Sequence, residues 1–216
     1  MPARLIIFDL DGTLVDSSVD ITNALNYAIE PYAFQRLTVK DTVRMVGEGI
    51  TRLIEKLVGN VEESVKNDVT KRFLDHYTKY ILDQTREYPG VRETLENLRD
   101  YRKAVISNKR ESLSRMVLEG LRLARHFDLI LGSDSVPEKK PSPMPIRKVL
   151  ADLQVPASET LIVGDSNFDI DAGKAAEVTT VAVTYGYRPK EMISHADYMI
   201  DSMPELIPLL GRINKR

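Results

Sequence analysis

The sequence predicts an α/β protein, an open, Rossmann-like parallel sheet with a bundle of helices inserted after its first strand. Three observations predict it. Residues 5 to 8, Leu-Ile-Ile-Phe, form an apolar run of strand length that leads straight into Asp9-Leu-Asp-Gly-Thr13. From residue 91 onward, short apolar runs alternate with helical periodicity, as strand–helix units do. The stretch between the first strand candidate, 4 to 9, and the next, beginning at 102, far exceeds the roughly 30 residues of a strand–helix–strand unit.

In chain order, the first strand ends in two carboxylates on alternate positions. Asp9 and Asp11 fall on one face of an extended chain, and Gly12 allows a sharp turn that brings both to one small volume. Two carboxylates that close need a cation or a shared proton. An isolated Asp-x-Asp-Gly reads equally well as a strand-end cap followed by a turn.

The insert, residues 16 to 86, reads as a helical cap on a core formed by 1–15 and 87–216. Val19, Leu25, Ala28 and Ile29 mark one helix, and Ile50, Leu53, Ile54, Leu57 and Val58 line the apolar face of another. Along a third, Val61, Val65, Val69, Phe73, Tyr77 and Ile81 recur every four residues. Thr38 and Asp41 have the spacing to cap a short segment before Gly47. Tyr88-Pro89-Gly90 is a turn or hinge where the chain rejoins the core.

Beyond it, strands are expected at 103–107, 127–131, 160–164, 179–184 and 198–201, with helices near 91–101, 111–123, 143–153, 169–176 and 203–213. Ligands of such sheets bind beyond the carboxyl ends of the strands. Polar residues gather there in Ser107-Asn108-Lys109 and in Gly164-Asp165 through Asp169, with Lys139-Lys140-Pro141 ahead of a helix. Each alone has a plain reading: an N-cap, a turn with a cap, and a lysine pair of which Lys139 is solvated.

Composition narrows the chemistry. Across 216 residues, 43% of them hydrophobic, 30 basic side chains balance 32 acidic ones, which argues against an electrostatic nucleic-acid binder. The absence of Cys removes disulfides, thiolate metal sites and thiol catalysis. With no long apolar run and no leader-like segment, a cytoplasmic location without membrane attachment is expected. His76, His126 and His195 stand apart from the acidic motifs and read as structural or surface, and the Tyr and Phe positions read as core.

The conjunction of acid-x-acid-Gly-Thr, Ser-Asn, Lys-Pro and Gly-Asp-x-x-x-Asp, in that order, resembles the haloacid dehalogenase (HAD) superfamily of phosphotransferases. Asp9-Leu10-Asp11-Gly12-Thr13, Ser107, Lys140 and Gly164-Asp165 match its four motifs along essentially the whole chain. The helical insert, Val46-Gly47-Glu48-Gly49 and Thr184-Tyr185-Gly186-Tyr187 are similar to its phosphoglycolate phosphatase-like branch. Glu177 departs from that pattern where a Gly is frequent, and Met144 where an acid is.

Residues and resemblance together imply the HAD fold and an Mg²⁺-dependent phosphomonoester hydrolase. Asp9 would attack phosphorus to give an aspartyl-phosphate, with Asp11 as acid and then base. Lys140, Ser107, Asn108, Gly12 and Thr13 would hold the phosphoryl group. Asp9, the Asp11 carbonyl and Asp165 would bind Mg²⁺, with Asp169 orienting Lys140 or a metal-bound water. Gly47, Glu48 and Gly49 would contact the rest of the substrate, flanked by Arg44 and Arg52. The expected partner is a small phosphoester, 2-phosphoglycolate first, for a monomer or homodimer. Pyrophosphate, nucleotide or sugar monophosphates and phosphosugar mutase chemistry are the alternatives, and a receiver-like signalling domain is a remote one. Asp11 argues against dehalogenation, because the family's dehalogenases lack the second acid.

Overall fold

The structure, a computed structural model, describes residues 2 to 215. All four residues of β1 (Leu5–Phe8) are buried, as a strand covered on both faces requires. After a tight turn come β2 (Val15–Asp16), then α1 (Ser18–Ile29), α2 (Val39–Met45), α3 (Ile50–Val58) and α4 (Glu63–Tyr80), and the chain returns through β3 (Arg86–Glu87). The remainder alternates: α5 (Val91–Asn97), β4 (Arg102–Ile106), α6 (Glu111–Gly120), β5 (Leu129–Leu131), α7 (Met144–Leu153), β6 (Thr160–Gly164), α8 (Asn167–Ala175), β7 (Thr179–Val183), α9 (Lys190–Ile193), β8 (Tyr198–Ile200) and α10 (Leu206–Ile213).

Six strands form one parallel sheet in the order β5-β4-β1-β6-β7-β8. The chain builds outward from β1 through β4 to β5, then starts again at β6 on the other flank of β1. That reversal opens a crevice at the carboxyl ends of the central strands. Phe8 is level with Val105 and Val163, so Asp9, Ser107 and Asp165 emerge at about the same height. Alternation along β1 splits the core, with Leu5 and Ile7 packing with Ile146 and Val149 of α7 and Ile6 and Phe8 joining the cluster that continues into the helical insert. Each fully buried Leu, Ile or Phe contributes about 1.5–3 kcal/mol of transfer free energy.

In the insert, α1 packs along α4, and Leu25, Ala28, Val69 and Phe73 share one buried cluster. Thr38 and Asp41 form a reciprocal capping box at the start of α2. The two passages into and out of the insert are zipped together, because β2 pairs antiparallel with β3. Strands of two residues have no periodicity to read, which is why the sequence does not announce this ribbon. Buried Asp20 reinforces it, accepting from the Gln84 N–H, the Thr85 N–H at 2.8 Å and the Thr85 hydroxyl at 2.7 Å.

Two element boundaries differ from expectation for local reasons. The helix expected to reach residue 101 stops at Asn97, where the buried Lys103 ammonium takes the Leu98 and Tyr101 carbonyls at 2.6 and 2.8 Å and so terminates it. The helix expected from 169 begins at Asn167, because Ser166 and Asp169 form its capping box. Among the described residues, no helix is long and apolar enough to cross a membrane.

Candidate active site

At the end of β1, Asp9 is held by Lys140, whose Nζ lies 2.8 Å from Asp9 Oδ1, 2.6 Å from Asp169 Oδ1 and 2.8 Å from the Ile106 carbonyl. Asp165, one residue past β6, completes the group. Carboxylate oxygens of Asp9, Asp165 and Asp169 lie within 4.8 Å of one another, and all three residues are buried. Burial first, then the charge of Asp169, pushes the Asp9 carboxyl well above the usual carboxylate range, although Lys140 opposes it. Burial and Asp169 likewise push Asp165 up to about 7. Burial would lower the Lys140 ammonium, but Asp169 and Asp9 outweigh it and hold its pKa above the ordinary lysine value.

This donor set fits a hard divalent cation. Asp169 is already satisfied, with Oδ1 on Lys140 and Oδ2 accepting from the Ser166 N–H at 3.1 Å and hydroxyl at 2.6 Å. Asp9 and Asp165 then face each other with too little positive charge between them, a deficit that a divalent cation with all-oxygen ligation would fill. Asp11 does not join the converging carboxylates. Its Oδ1 accepts from the Ser17 hydroxyl at 2.5 Å and from Lys109 Nζ at 2.6 Å.

Several residues expected to touch substrate do other work. Gly12 is a turn residue at φ +88°, where a Cβ would lie 2.4 Å from Asp165 Oδ2, and its N–H is spent on the Val15 carbonyl. Thr13 is fully buried and its hydroxyl donates to Asp165 Oδ1 at 3.3 Å, so it orients that carboxylate. The Asn108 amide donates to the Gly47 and Lys140 carbonyls at 2.8 and 2.9 Å, which leaves its side-chain nitrogen no proton for a phosphate. Among the described residues, the backbone N–H groups of Asp11 and Asn108 have no acceptor. Those, with the Ser107 hydroxyl, are the donors beside Asp9 that remain available.

Between crest and insert lies a cavity of about 80 Å³, bounded by Asp9, Lys109 and Lys140 below and Ile21, Leu53 and Phe73 above. Gly47 and Gly49 line it, but Glu48 does not, because its carboxylate pairs with Lys56. Arg44 is exposed, and Arg52 pairs with Glu55 at the surface. Lys139, expected to be solvated, donates to the Glu48 carbonyl at 2.5 Å.

Four functional candidates escaped the sequence reading. Arg188 donates to the Val43 carbonyl at 2.7 Å and to the Val46 carbonyl. Tyr187 gives its N–H to Asp165 Oδ2 at 2.7 Å, while its hydroxyl accepts from the Ser17 N–H at 3.0 Å. Lys109 bridges Asp11 to Tyr77, a residue of α4 that the periodicity assigns to the core and that also lines the cavity. Two carried a signal: Lys109 in the strand-end Ser107-Asn108-Lys109, and Tyr187 in the branch-like Thr184-Tyr185-Gly186-Tyr187. Of the histidines, His76 stacks between Tyr27 and Tyr80 and His195 pairs with Asp171 at the surface.

Comparison with known proteins bears directly on this geometry. The profile of the haloacid dehalogenase-like hydrolases matches residues 6–183. A phosphoglycolate phosphatase of Aquifex aeolicus is 38% identical over 186 residues, covering 85% of this chain and 86% of that one. Another, of Neisseria meningitidis, is 37% identical over 215 residues, with 94% and 92% covered. The crystal structure of a predicted phosphoglycolate phosphatase from Haemophilus somnus superposes with a TM-score of 0.92 at 29% identity, covering 96% of this chain and 97% of that one.

Proposed function

The chain belongs to the haloacid dehalogenase-like hydrolases and is a phosphoric monoester hydrolase, and from that premise we propose that it is an Mg²⁺-dependent phosphatase that forms an aspartyl-phosphate on Asp9 and acts on 2-phosphoglycolate. One observation carries the mechanism, the burial of Asp9 and Asp165 against Lys140 at the end of β1.

An Asp9 oxygen forms a bond to phosphorus as the P–O ester bond breaks, and the departing alkoxide takes a proton from Asp11. Asp11, now a carboxylate beside Lys109 and Ser17, receives a proton from the water that attacks phosphorus. The Asp9–phosphorus bond then breaks and inorganic phosphate leaves. Lys140 places positive charge beside the transferring group, and the free N–H groups of Asp11 and Asn108 are donors for its oxygens. Asp9 and Asp165, with the Asp11 carbonyl, would hold Mg²⁺, whose chemistry is to neutralise the phosphate charge that would otherwise repel Asp9.

Two features support a small substrate. A cavity of about 80 Å³ suits a leaving group of a few heavy atoms, whereas sites for larger ligands measure about 300–1000 Å³. The relatives named above are phosphoglycolate phosphatases. Residues 16 to 86 act as a lid over the site, moving about the ribbon of β2 and β3. The test is a panel of phosphomonoesters ranked by kcat/KM with Mg²⁺ and repeated in EDTA. Phosphoglycolate is expected to rank first, with all turnover lost on chelation. Metal-independent turnover would overturn the mechanism, and a preference for nucleotides would overturn the substrate.

A further inference from the structure

We propose that Lys109 of the core and Tyr77 of the helical insert together form the receptor for the substrate's carboxylate, a pairing that exists only while the insert is closed over the sheet. The inference rests on the phosphoglycolate reading above and assigns the residues that would select that substrate.

The cavity holds few cations able to meet a second anionic group. Lys140 is consumed by Asp9, Asp169 and the Ile106 carbonyl. Arg188 spends two of its five N–H groups on the Val43 and Val46 carbonyls and is anchored there, away from Asp11, and Arg110 is exposed. Lys109 differs from all three. Its side chain is 8% exposed, its Nζ is 2.6 Å from Asp11 Oδ1 and 2.8 Å from the Tyr77 hydroxyl, and it lies 5.1 Å above the Tyr77 ring.

Proton counting leaves two donors unused there. An ammonium has three N–H groups, and two are spent, on Asp11 and Tyr77. The Tyr77 oxygen accepts from Lys109, and among the described residues its own O–H has no acceptor. A carboxylate placed beside the pair would therefore receive one charge-assisted hydrogen bond from each. The insert's side of the wall is largely apolar, with Ile21, Leu53 and Phe73 in the lining.

Distance admits the substrate. Asp11 must come within about 2.7 Å of the ester oxygen to protonate it, and Lys109 Nζ is 2.6 Å beyond Asp11 Oδ1. With Asp11 Oδ1 occupied by Ser17 and Lys109, the proton passes through Oδ2, about 2.2 Å across the carboxyl, and the ammonium lies within about 7.5 Å of the ester oxygen. In phosphoglycolate a carboxylate oxygen stands about 3 Å from that ester oxygen by ordinary bond geometry, and a hydrogen bond of about 2.8 Å from Lys109 brings the span to about 5.8 Å, within that limit.

The experiment compares phosphoglycolate with ethyl phosphate, which lacks the carboxylate, through the ratio of their kcat/KM values. Lys109→Met is expected to lower that ratio about 10- to 100-fold, the scale of a lost hydrogen bond to a charged group, and Tyr77→Phe about 10-fold. Tyr77→Phe keeps the ring and its packing, so it reports even where Lys109→Met disturbs folding. If Lys109→Met lowers both substrates equally, Lys109 acts through Asp11 and the receptor assignment falls while the phosphoglycolate reading stands. If the wild-type protein shows no preference for phosphoglycolate over ethyl phosphate, the substrate reading itself falls and the receptor with it.

Discussion

At the crest of the sheet, polar groups meet mainly side chain to side chain; across the seam to the stretch from α2 to α3 of the insert, they meet side chain to main chain. Asp9, Lys140 and Asp169 interlock through ionised atoms that are almost wholly buried. Over the seam, Arg188, Asn108 and Lys139 reach up to the carbonyls of Val43, Val46, Gly47 and Glu48, four positions from the last turn of α2 to the start of α3. The crest depends on which side chains stand there. The seam depends on where the backbone of the insert lies, since any residue supplies a carbonyl. On the proposed function a division of labour follows: the crest would perform chemistry on the phosphoryl group, and the seam would set how often the site is closed around it.

The largest effect that could break this division is expected at Asp9. Asp9→Asn keeps the shape and removes the nucleophile, so kcat for p-nitrophenyl phosphate should fall at least about 10³-fold. No phosphoryl group should then appear on the chain after acid quench, as read by mass spectrometry. Turnover near the wild-type rate would show that the crest does not act through a covalent step.

A smaller and differently shaped effect is expected at the seam. Arg188→Met removes two donors from the turn after α2 without touching Asp9, Lys140 or Asp169. If the closed arrangement becomes less populated, apparent affinity falls by that fraction, and KM for a small phosphoester should rise on the order of tenfold, with kcat changed far less. Steady-state kinetics at saturating Mg²⁺ check this. An equal loss in kcat would mean that Arg188, which also lies near Asp165, serves the crest.

The two regions were unequally legible in the sequence, for the same physical reason. Strand-end chemistry is local: an apolar run followed by Asp9-x-Asp11, Ser107 or Gly164-Asp165 is contiguous, and parallel strands in register carry those ends to one height. Helices of the insert were legible from the four-residue recurrence of Val69, Phe73 and Tyr77. Lys109 and Arg188 were not, because their meaning depends on partners far away in sequence. Lys109 reaches Tyr77, and Arg188 reaches Val43. No pattern says which atom of a residue faces a ligand, and this accounts for Glu48 being expected at the substrate while its carboxylate pairs with Lys56 and its carbonyl with Lys139. Gly12 and Thr13 were likewise found in the right motif but given the wrong task, since one makes the turn and the other orients Asp165.

The smallest effect should come from a position belonging to neither region, and it calibrates the other two. Helix α8 closes in a Schellman arrangement, with the Val178 N–H on the Gly173 carbonyl at 3.1 Å and the Glu177 N–H on the Lys174 carbonyl at 3.1 Å. That motif needs a left-handed residue at its turn, and Glu177 supplies it at φ +60°. A side chain there costs about 1–2 kcal/mol against glycine in steric terms, while glycine would forfeit about 0.4–1 kcal/mol through its greater freedom when unfolded. Glu177→Gly should therefore gain about 0.5–1 kcal/mol net, which raises Tm by about 1–4 °C in a chain of this size. Glu177 is exposed and makes no side-chain contact at the crest or the seam, so kcat and KM should stay at wild-type values. Thermal melting alongside kinetics reads both. A stability gain with unchanged kinetics would separate folding from function, and the losses at Asp9 and Arg188 could then be assigned to chemistry and closure instead of a weakened fold. A change in KM on this substitution would show that stability of α8, which begins at Asn167 beside Asp165, is transmitted to the crest, and the division between the two regions would have to be redrawn.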